Sequence, residues 1–290
     1  MKKCDSFQEC KQNQLLVMCK NGYPIMDCLS CLRRFTVITN NENHLAEVYA
    51  DNYFFDGRSE YANYLEDKDT LINYGIRYAK IIGKHSSTGK ILDIGSAAGF
   101  ILKGFVSKGW TGQGIEPNAT MAAYGKKELN IDIHAGSLED FKSDEKFDLV
   151  TMIQVIGHFY DIDKSMKNIS DLLSPDGIVL VESWNMKSLV ARIFGKNWHA
   201  YSPPSTINWF SDESLKKLFN SYGFTFVESG YPLKKITMKR ALSIIENKAP
   251  EFWFKAKFIK FLKLLTGRLV LIYPPVDLKW YVFRKTGDGI

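Results

Sequence analysis

Apolar and polar positions follow two rhythms along this chain, and the change of rhythm divides it. From Cys4 to about Val37 the apolar runs are short and strand-like, broken at Asn21-Gly22 and at the Cys28-Leu29-Ser30-Cys31 turn. An aromatic stretch follows from Val48 to Phe55, with Tyr61 and Tyr64 beyond it. Leu65 to Ile82 spaces its apolar residues as a helix does, and His85 to Gly89 is a small polar linker. Strands and helices then alternate: strand Lys90 to Ile94, helix Phe100 to Lys108, strand Gly112 to Glu116, helix Ala119 to Leu129 and strand Ile131 to His134. Strand Phe147 to Met152, a helix around Ile162 to Leu173 and strand Gly177 to Glu182 continue the series. This alternation predicts a mainly parallel sheet with helices on both faces. A helix over Asp212 to Tyr222 and strands over Phe224 to Val227 and Leu278 to Phe283 complete the pattern.

Three segments are expected: 1–37, rich in cysteine; 38–85, helical and aromatic, placed as a lid; and 86–290, an α/β domain with a basic insertion at about 231–276. At 290 residues and 45% apolar, the chain can bury a full α/β core and still carry appendages. No apolar run is long enough to span a membrane, and the start Met1-Lys2-Lys3-Cys4 has no apolar signal region, so cytoplasm is the expected compartment.

The net charge of +6 is uneven, because residues 231–290 hold 13 Lys or Arg against 4 Asp or Glu. That end suits an anionic acceptor, a membrane surface or nucleic acid; a solvated helix face is the competing reading. Pro250 to Leu265 reads as a basic amphipathic helix, suited to substrate cover, dimer contact or a membrane surface. With no basic-aromatic RNA-binding module in the chain, nucleic acid is not an expected partner.

All five cysteines (Cys4, Cys10, Cys19, Cys28 and Cys31) fall in the first 31 residues. In a reducing compartment such a cluster points to metal before disulfides. Cys28-x-x-Cys31 has the spacing of half a zinc ribbon, and Cys4 with Cys10 is the candidate second half, with Cys19 able to replace one of them. The alternative is a set of free buried thiols.

The run Ile91 to Phe100 (ILDIGSAAGF) is a strand, a small-residue turn and a helix start. Small residues let a ligand approach the backbone closely, and a helix N-terminus offers N–H groups to an anion. Glu116 ends the next strand, 21 residues after Gly95, where a carboxylate suits ribose hydroxyls. The rival is a nicotinamide-binding G-x-G-x-x-G loop. Ala97 and Phe100 stand at its second and third glycine positions, and Asp93 ahead of the turn would repel a pyrophosphate but attract an ammonium.

These residues resemble the first motif of class I S-adenosylmethionine (SAM)-dependent methyltransferases, and Gly114-Ile115-Glu116-Pro117-Asn118 resembles their second. Gly136 to Asp140 looks like their adenine-side loop, Phe147 to His158 is similar to their fourth motif, and Leu172 to Gly177 to the turn before their fifth strand. The similarity extends over most of residues 45–230 and looks like the small-molecule branch. Gly157 stands where that family has Glu before the histidine, and Thr206 where a second histidine is common.

The resemblance implies a doubly wound, seven-stranded Rossmann-like sheet with a small N-terminal zinc-ribbon-like module, as in sugar methyltransferases. It implies SAM held by Asp93, Gly95, Ser96, Ala97, Gly99, Phe100, Glu116, Pro117, Ser137, Leu138, Glu139 and Gln154. A structural zinc on Cys4, Cys10, Cys28 and Cys31 accompanies it. Among the five histidines, His158 is the candidate base; Tyr53, His199 and Tyr201 are candidate acceptor contacts, and Tyr49, Tyr53 and Phe54 a candidate lid. The expected reaction is methyl transfer to a small acceptor, with O-methylation of a saccharide or secondary metabolite placed first. C- or N-methylation of a nucleotide-linked sugar is the alternative; a nicotinamide oxidoreductase or a non-catalytic SAM-binding protein are readings from other classes.

Overall fold

The computed structural model describes residues 13–38, 48–50, 64–237, 270–273 and 276–286. Three antiparallel strands come first: β1 (Gln14–Lys20), β2 (Tyr23–Cys28) and β3 (Arg34–Thr36). A 3-10 turn (Tyr64–Asp67) leads into α1 (Lys68–Ile82). The alternating series follows as β4 (Lys90–Ile94), α2 (Phe100–Val106), β5 (Thr111–Glu116), α3 (Ala119–Leu129), β6 (Ile133–Ala135) and β7 (Phe147–Ile153). Next come α4 (Ile162–Leu172), β8 (Leu173–Trp184), α5 (Leu189–Phe194), β9 (Asn208–Trp209), α6 (Asp212–Ser221) and β10 (Phe224–Gly230). The described chain ends with β11 (Lys234–Thr237), β12 (Val270–Tyr273) and β13 (Leu278–Lys285).

The main sheet has seven strands in the order β10-β13-β8-β7-β4-β5-β6. Its centre is parallel, and β13 runs antiparallel to both neighbours, so the sheet is mixed. β4 pairs with β5 on one side and β7 on the other, which makes its carboxyl end the switch point where open α/β sheets bind ligands. Ile91 to Ile94 are buried without alternation, as a central strand covered on both faces requires. One apolar layer includes Ile91, Leu149, Leu180 and Val282 with α1 and α2; the other includes Leu92, Val150, Val181 and Phe283.

Local capping starts the helices where the sequence changes rhythm. Asn118 accepts from the Met121 N–H to open α3, and Asp161 from the Lys164 N–H to open α4. Ser211 and Ser214 cap α6 reciprocally. Several expected boundaries move. β8 begins at Leu173 and takes in Ser174-Pro175-Asp176, read from sequence as a turn. α2 ends at Val106, and the stretch from Leu65 divides into the 3-10 turn and α1.

The N-terminal strands do not stand alone: β3 pairs with β9, giving a four-stranded sheet β1-β2-β3-β9 that draws in a strand from far along the chain. Residues 231–276 form a second compact unit, in which β11 pairs antiparallel with β12 from Lys234↔Tyr273 to Thr237↔Val270. The basic stretch Pro250 to Leu265 lies outside the described residues. Among the described residues no helix is long and apolar enough to cross a membrane.

Candidate functional site

The turn after β4 is held in shape from the next strand. The N–H groups of Gly95 and Ser96 both donate to the Ile115 carbonyl, at 2.8 and 3.0 Å. Gly95 has φ +66, and a Cβ there would lie 2.5 Å from Val155 Cγ2, so only glycine lets the segment after β7 close onto this turn. Ala97, at φ 47, donates its N–H to Glu116 Oε2 at 2.8 Å, while the Asn118 N–H donates to Glu116 Oε1 at 2.9 Å. Each carboxylate oxygen thereby takes one backbone donor and keeps a further lone pair for a ligand.

Two buried acids flank the turn. Asp93 accepts from Thr151 Oγ1 at 2.6 Å. Burial pushes its carboxyl up to about 7, against the Thr151 hydrogen bond and with help from the Glu116 charge. Burial likewise raises Glu116 to about 7, although two backbone N–H groups oppose the shift.

From Asn118 a chain of contacts runs to His158. Asn118 Nδ2 donates to the Tyr49 carbonyl at 2.8 Å, and the Tyr49 ring meets the His158 ring edge-on at 5.8 Å. Tyr49 also donates its hydroxyl to the Ser205 carbonyl at 3.2 Å. His158 Nδ1 lies 2.7 Å from that same carbonyl. A carbonyl only accepts, so Nδ1 carries the proton and Nε2 is the acceptor nitrogen of the neutral ring. The strand-to-helix step carrying Gln154, Gly157 and His158 is fixed by Gln154 N–H to Glu182 carbonyl at 2.8 Å and by Ile207 N–H to Gly157 carbonyl at 2.9 Å.

The remaining sequence-derived residues divide. Ser96 is buried in the turn, and Gly99, at φ 75, starts α2. Pro117 follows Glu116, and Gln154 follows β7 in a left-handed conformation, φ 62. Phe100 and Leu138, by contrast, are core residues, with Phe100 stacked on Tyr64 at 5.4 Å. Ser137 donates to Asp140 Oδ2 at 3.0 Å, and Glu139 accepts from Ser165 on α4 at 2.9 Å, so these two serve the loop's own turn and its anchor.

His199 sits beside Trp184, ring centroids 4.6 Å apart, with Nδ1 3.8 Å from Asp277 Oδ2. Tyr201 is 5% exposed and accepts from Arg34 at 2.5 Å, Arg34 itself being paired with Asp27 at 2.7 Å. Tyr201 thereby braces the N-terminal sheet through Arg34. Tyr53 and Phe54 lie outside the described residues.

Only part of the cysteine cluster falls within the described residues. Among the described residues no group of three or more His, Cys, Asp or Glu converges as a metal site. Cys4 and Cys10 lie outside those residues. Cys19 pairs across the hairpin with Pro24, four residues before Cys28, a strand distance of about 13 Å, which removes it as a replacement ligand. Cys28 and Cys31 do form a turn in which the Cys31 N–H donates to Cys28 Sγ at 3.4 Å. Sequence reasoning left out Glu182 and Tyr78, whose partners lie 28 and 104 residues away along the chain, and Ser205, which acts through its backbone.

A family model described as a methyltransferase domain matches residues 65–229, more than half of the chain. The chain is 32% identical over 128 residues to a ubiquinone biosynthesis O-methyltransferase of Rhodopseudomonas palustris strain BisB5, covering 41% of this chain and 51% of that protein. Its counterpart in strain HaA2 is 31% identical over 150 residues, covering 48% and 59%. The chain thus spans about half the length of the curated relatives it matches.

In fold it is similar to the Burkholderia thailandensis 1,6-didemethyltoxoflavin-N1-methyltransferase, solved with 1,6-didemethyltoxoflavin and S-adenosylhomocysteine bound (TM-score 0.53, 13% identity, 94% of this chain and 99% of that one). A SAM-dependent methyltransferase from Thermotoga maritima gives TM-score 0.51 at 17% identity, covering 84% and 100%. The nicotinamide reading is set aside by the family match. On that match the chain belongs to the methyltransferase-domain family, and its mixed seven-stranded sheet is that of the class I SAM-dependent methyltransferases.

Proposed function

We propose that the chain transfers the methyl group of SAM to a hydroxyl oxygen of a small acceptor, with His158 Nε2 taking the hydroxyl proton. The observation that carries this is the 2.7 Å approach of His158 Nδ1 to the Ser205 carbonyl, which commits the opposite nitrogen to accepting. SAM, when bound, supplies a methyl group already activated on its sulfonium. The protein's own task is then alignment, exclusion of water and proton removal.

The residues fit that cofactor. Glu116 would receive the ribose hydroxyls, Asp93 would face the methionine ammonium, and the Gly95 to Gly99 turn would offer N–H groups to the carboxylate. Gln154 would line the methionine end, and Tyr49 would roof the gap between the Asn118 loop and His158. In this division residues 86–290 carry the catalytic domain and 38–85 its cover.

That the similar proteins of ubiquinone biosynthesis are O-methyltransferases favours oxygen as the methylated atom of the acceptor. The basic balance of residues 231–290 favours an anionic one. The test is transfer of labelled methyl from SAM to a panel of catechols, free sugars and nucleotide-linked sugars. Label on a hydroxyl oxygen supports the reading; label on carbon or nitrogen moves it to the alternative reaction. Tight SAM binding with no labelled product leaves a non-catalytic binding protein.

A structural zinc on Cys4, Cys10, Cys28 and Cys31 belongs to the same proposal. It is supported by the Cys31 N–H to Cys28 sulfur bond, which suits a thiolate pair holding a metal. Elemental analysis of protein purified without chelator should find about one zinc per chain. A metal-free result removes it.

A further inference from the structure

We propose that Glu182 is a positioning residue of the cofactor site, holding Gln154 in its left-handed conformation and tying α1 to the same wall through Tyr78. The proposal rests on the reading that Gln154 lines the cofactor. Glu182 is 1% exposed, near the end of β8. It grips Gln154 twice: its carbonyl accepts the Gln154 N–H, and its Oε1 accepts from Gln154 Nε2, both at 2.8 Å. Its other oxygen, Oε2, accepts a hydrogen bond from the Tyr78 hydroxyl on α1.

Gln154 needs such a hold. At φ 62 it occupies a region that side-chain-bearing residues disfavour, a strain that the surroundings must offset. The next residue, Val155, is the one that closes on Gly95, so the conformation of Gln154 sets how that wall meets the cofactor turn. Packing alone does not call for an acid here. The same face of β8 presents Ile178 and Leu180 to the core, and a buried carboxyl at the next position costs free energy that an apolar side chain would not.

The test is calorimetric SAM binding to the full chain in four forms: unmodified, E182Q, Q154A and the double variant. E182Q should weaken SAM about tenfold, the scale of one charge-assisted hydrogen bond. Q154A should weaken it comparably, and the double variant should bind no more weakly than Q154A alone, because Glu182 acts through Gln154. Unchanged affinity in E182Q, or fully additive losses in the double variant, overturns the proposal while leaving Gln154 at the cofactor. Unchanged affinity in Q154A removes Gln154 from the site and the proposal with it. Should E182Q fail to fold, E182D, which keeps the charge but shortens the reach, is measured the same way with the same criteria.

Discussion

Gly157 and Thr206 meet at the carboxyl edge of the sheet: a Cβ placed on Gly157 would lie 3.2 Å from Thr206 Cγ2 and 3.0 Å from the Asn208 carbonyl oxygen. These are the two positions where the chain departs from the pattern of the family it resembles, and their contact makes them one departure. The segment entering β9 sits down on Gly157, donating the Ile207 N–H to its carbonyl, and takes the space a larger side chain would use. Restoring the acid alone, as G157E, should therefore destabilise the protein by about 1–3 kcal/mol, the usual cost of overpacking. Thermal unfolding checks this; an unchanged midpoint would mean that the β9 segment yields freely.

Stability of the cofactor-free protein should depend on Asp93 and Glu116 in a definite direction. Both carboxyls titrate near 7 in the fold, against ordinary values of 3.8 and 4.5. The folded state therefore holds protons that the unfolded state has released. The stabilisation is complete below the ordinary values and is lost as pH rises through about 7. Urea unfolding across that interval should show declining stability, with a shallower decline in D93N. An identical decline in D93N would remove Asp93 from the account.

SAM affinity should run the opposite way. A bound ammonium favours ionised Asp93, so affinity should rise as pH passes upward through about 7. Calorimetry on either side of that value reads the effect, and flat affinity would place the ammonium elsewhere.

Glu116→Ala should weaken SAM by about 1–3 kcal/mol, because it removes the acceptor for the ribose hydroxyls. It also strips the Ala97 and Asn118 N–H groups of their common partner. Unchanged affinity would take Glu116 out of the cofactor site.

What the sequence made legible was whatever depends on local spacing. β4, the small-residue turn and Glu116 lie within one short stretch, and the buried run Ile91 to Ile94 announces a central strand without further context. Asn118, Asp161 and Ser211 mark helix starts by chemistry that acts over three residues. Contacts between distant segments carry no such signal. Nothing near Arg34 indicates that β3 pairs with Trp209 on β9, and nothing near Tyr78 points to Glu182. Phe100 and Leu138 follow the motif in position, yet their side chains fill the core.

His158 carries the chemical claim. An alcohol or phenol loses its proton as oxygen attacks the methyl carbon, and the Ser205 carbonyl at 2.7 Å from Nδ1 leaves Nε2 as the accepting nitrogen. The measurement that tests this most directly is methyl transfer at saturating SAM by His158→Ala, alongside its SAM affinity, with an acceptor found in the labelled-methyl panel. SAM affinity should stay within about twofold of the unmodified protein while turnover falls about 10²–10⁴-fold, the range for loss of a general base. Turnover close to that of the unmodified protein, with SAM still bound, would contradict the account and leave alignment alone as the source of catalysis.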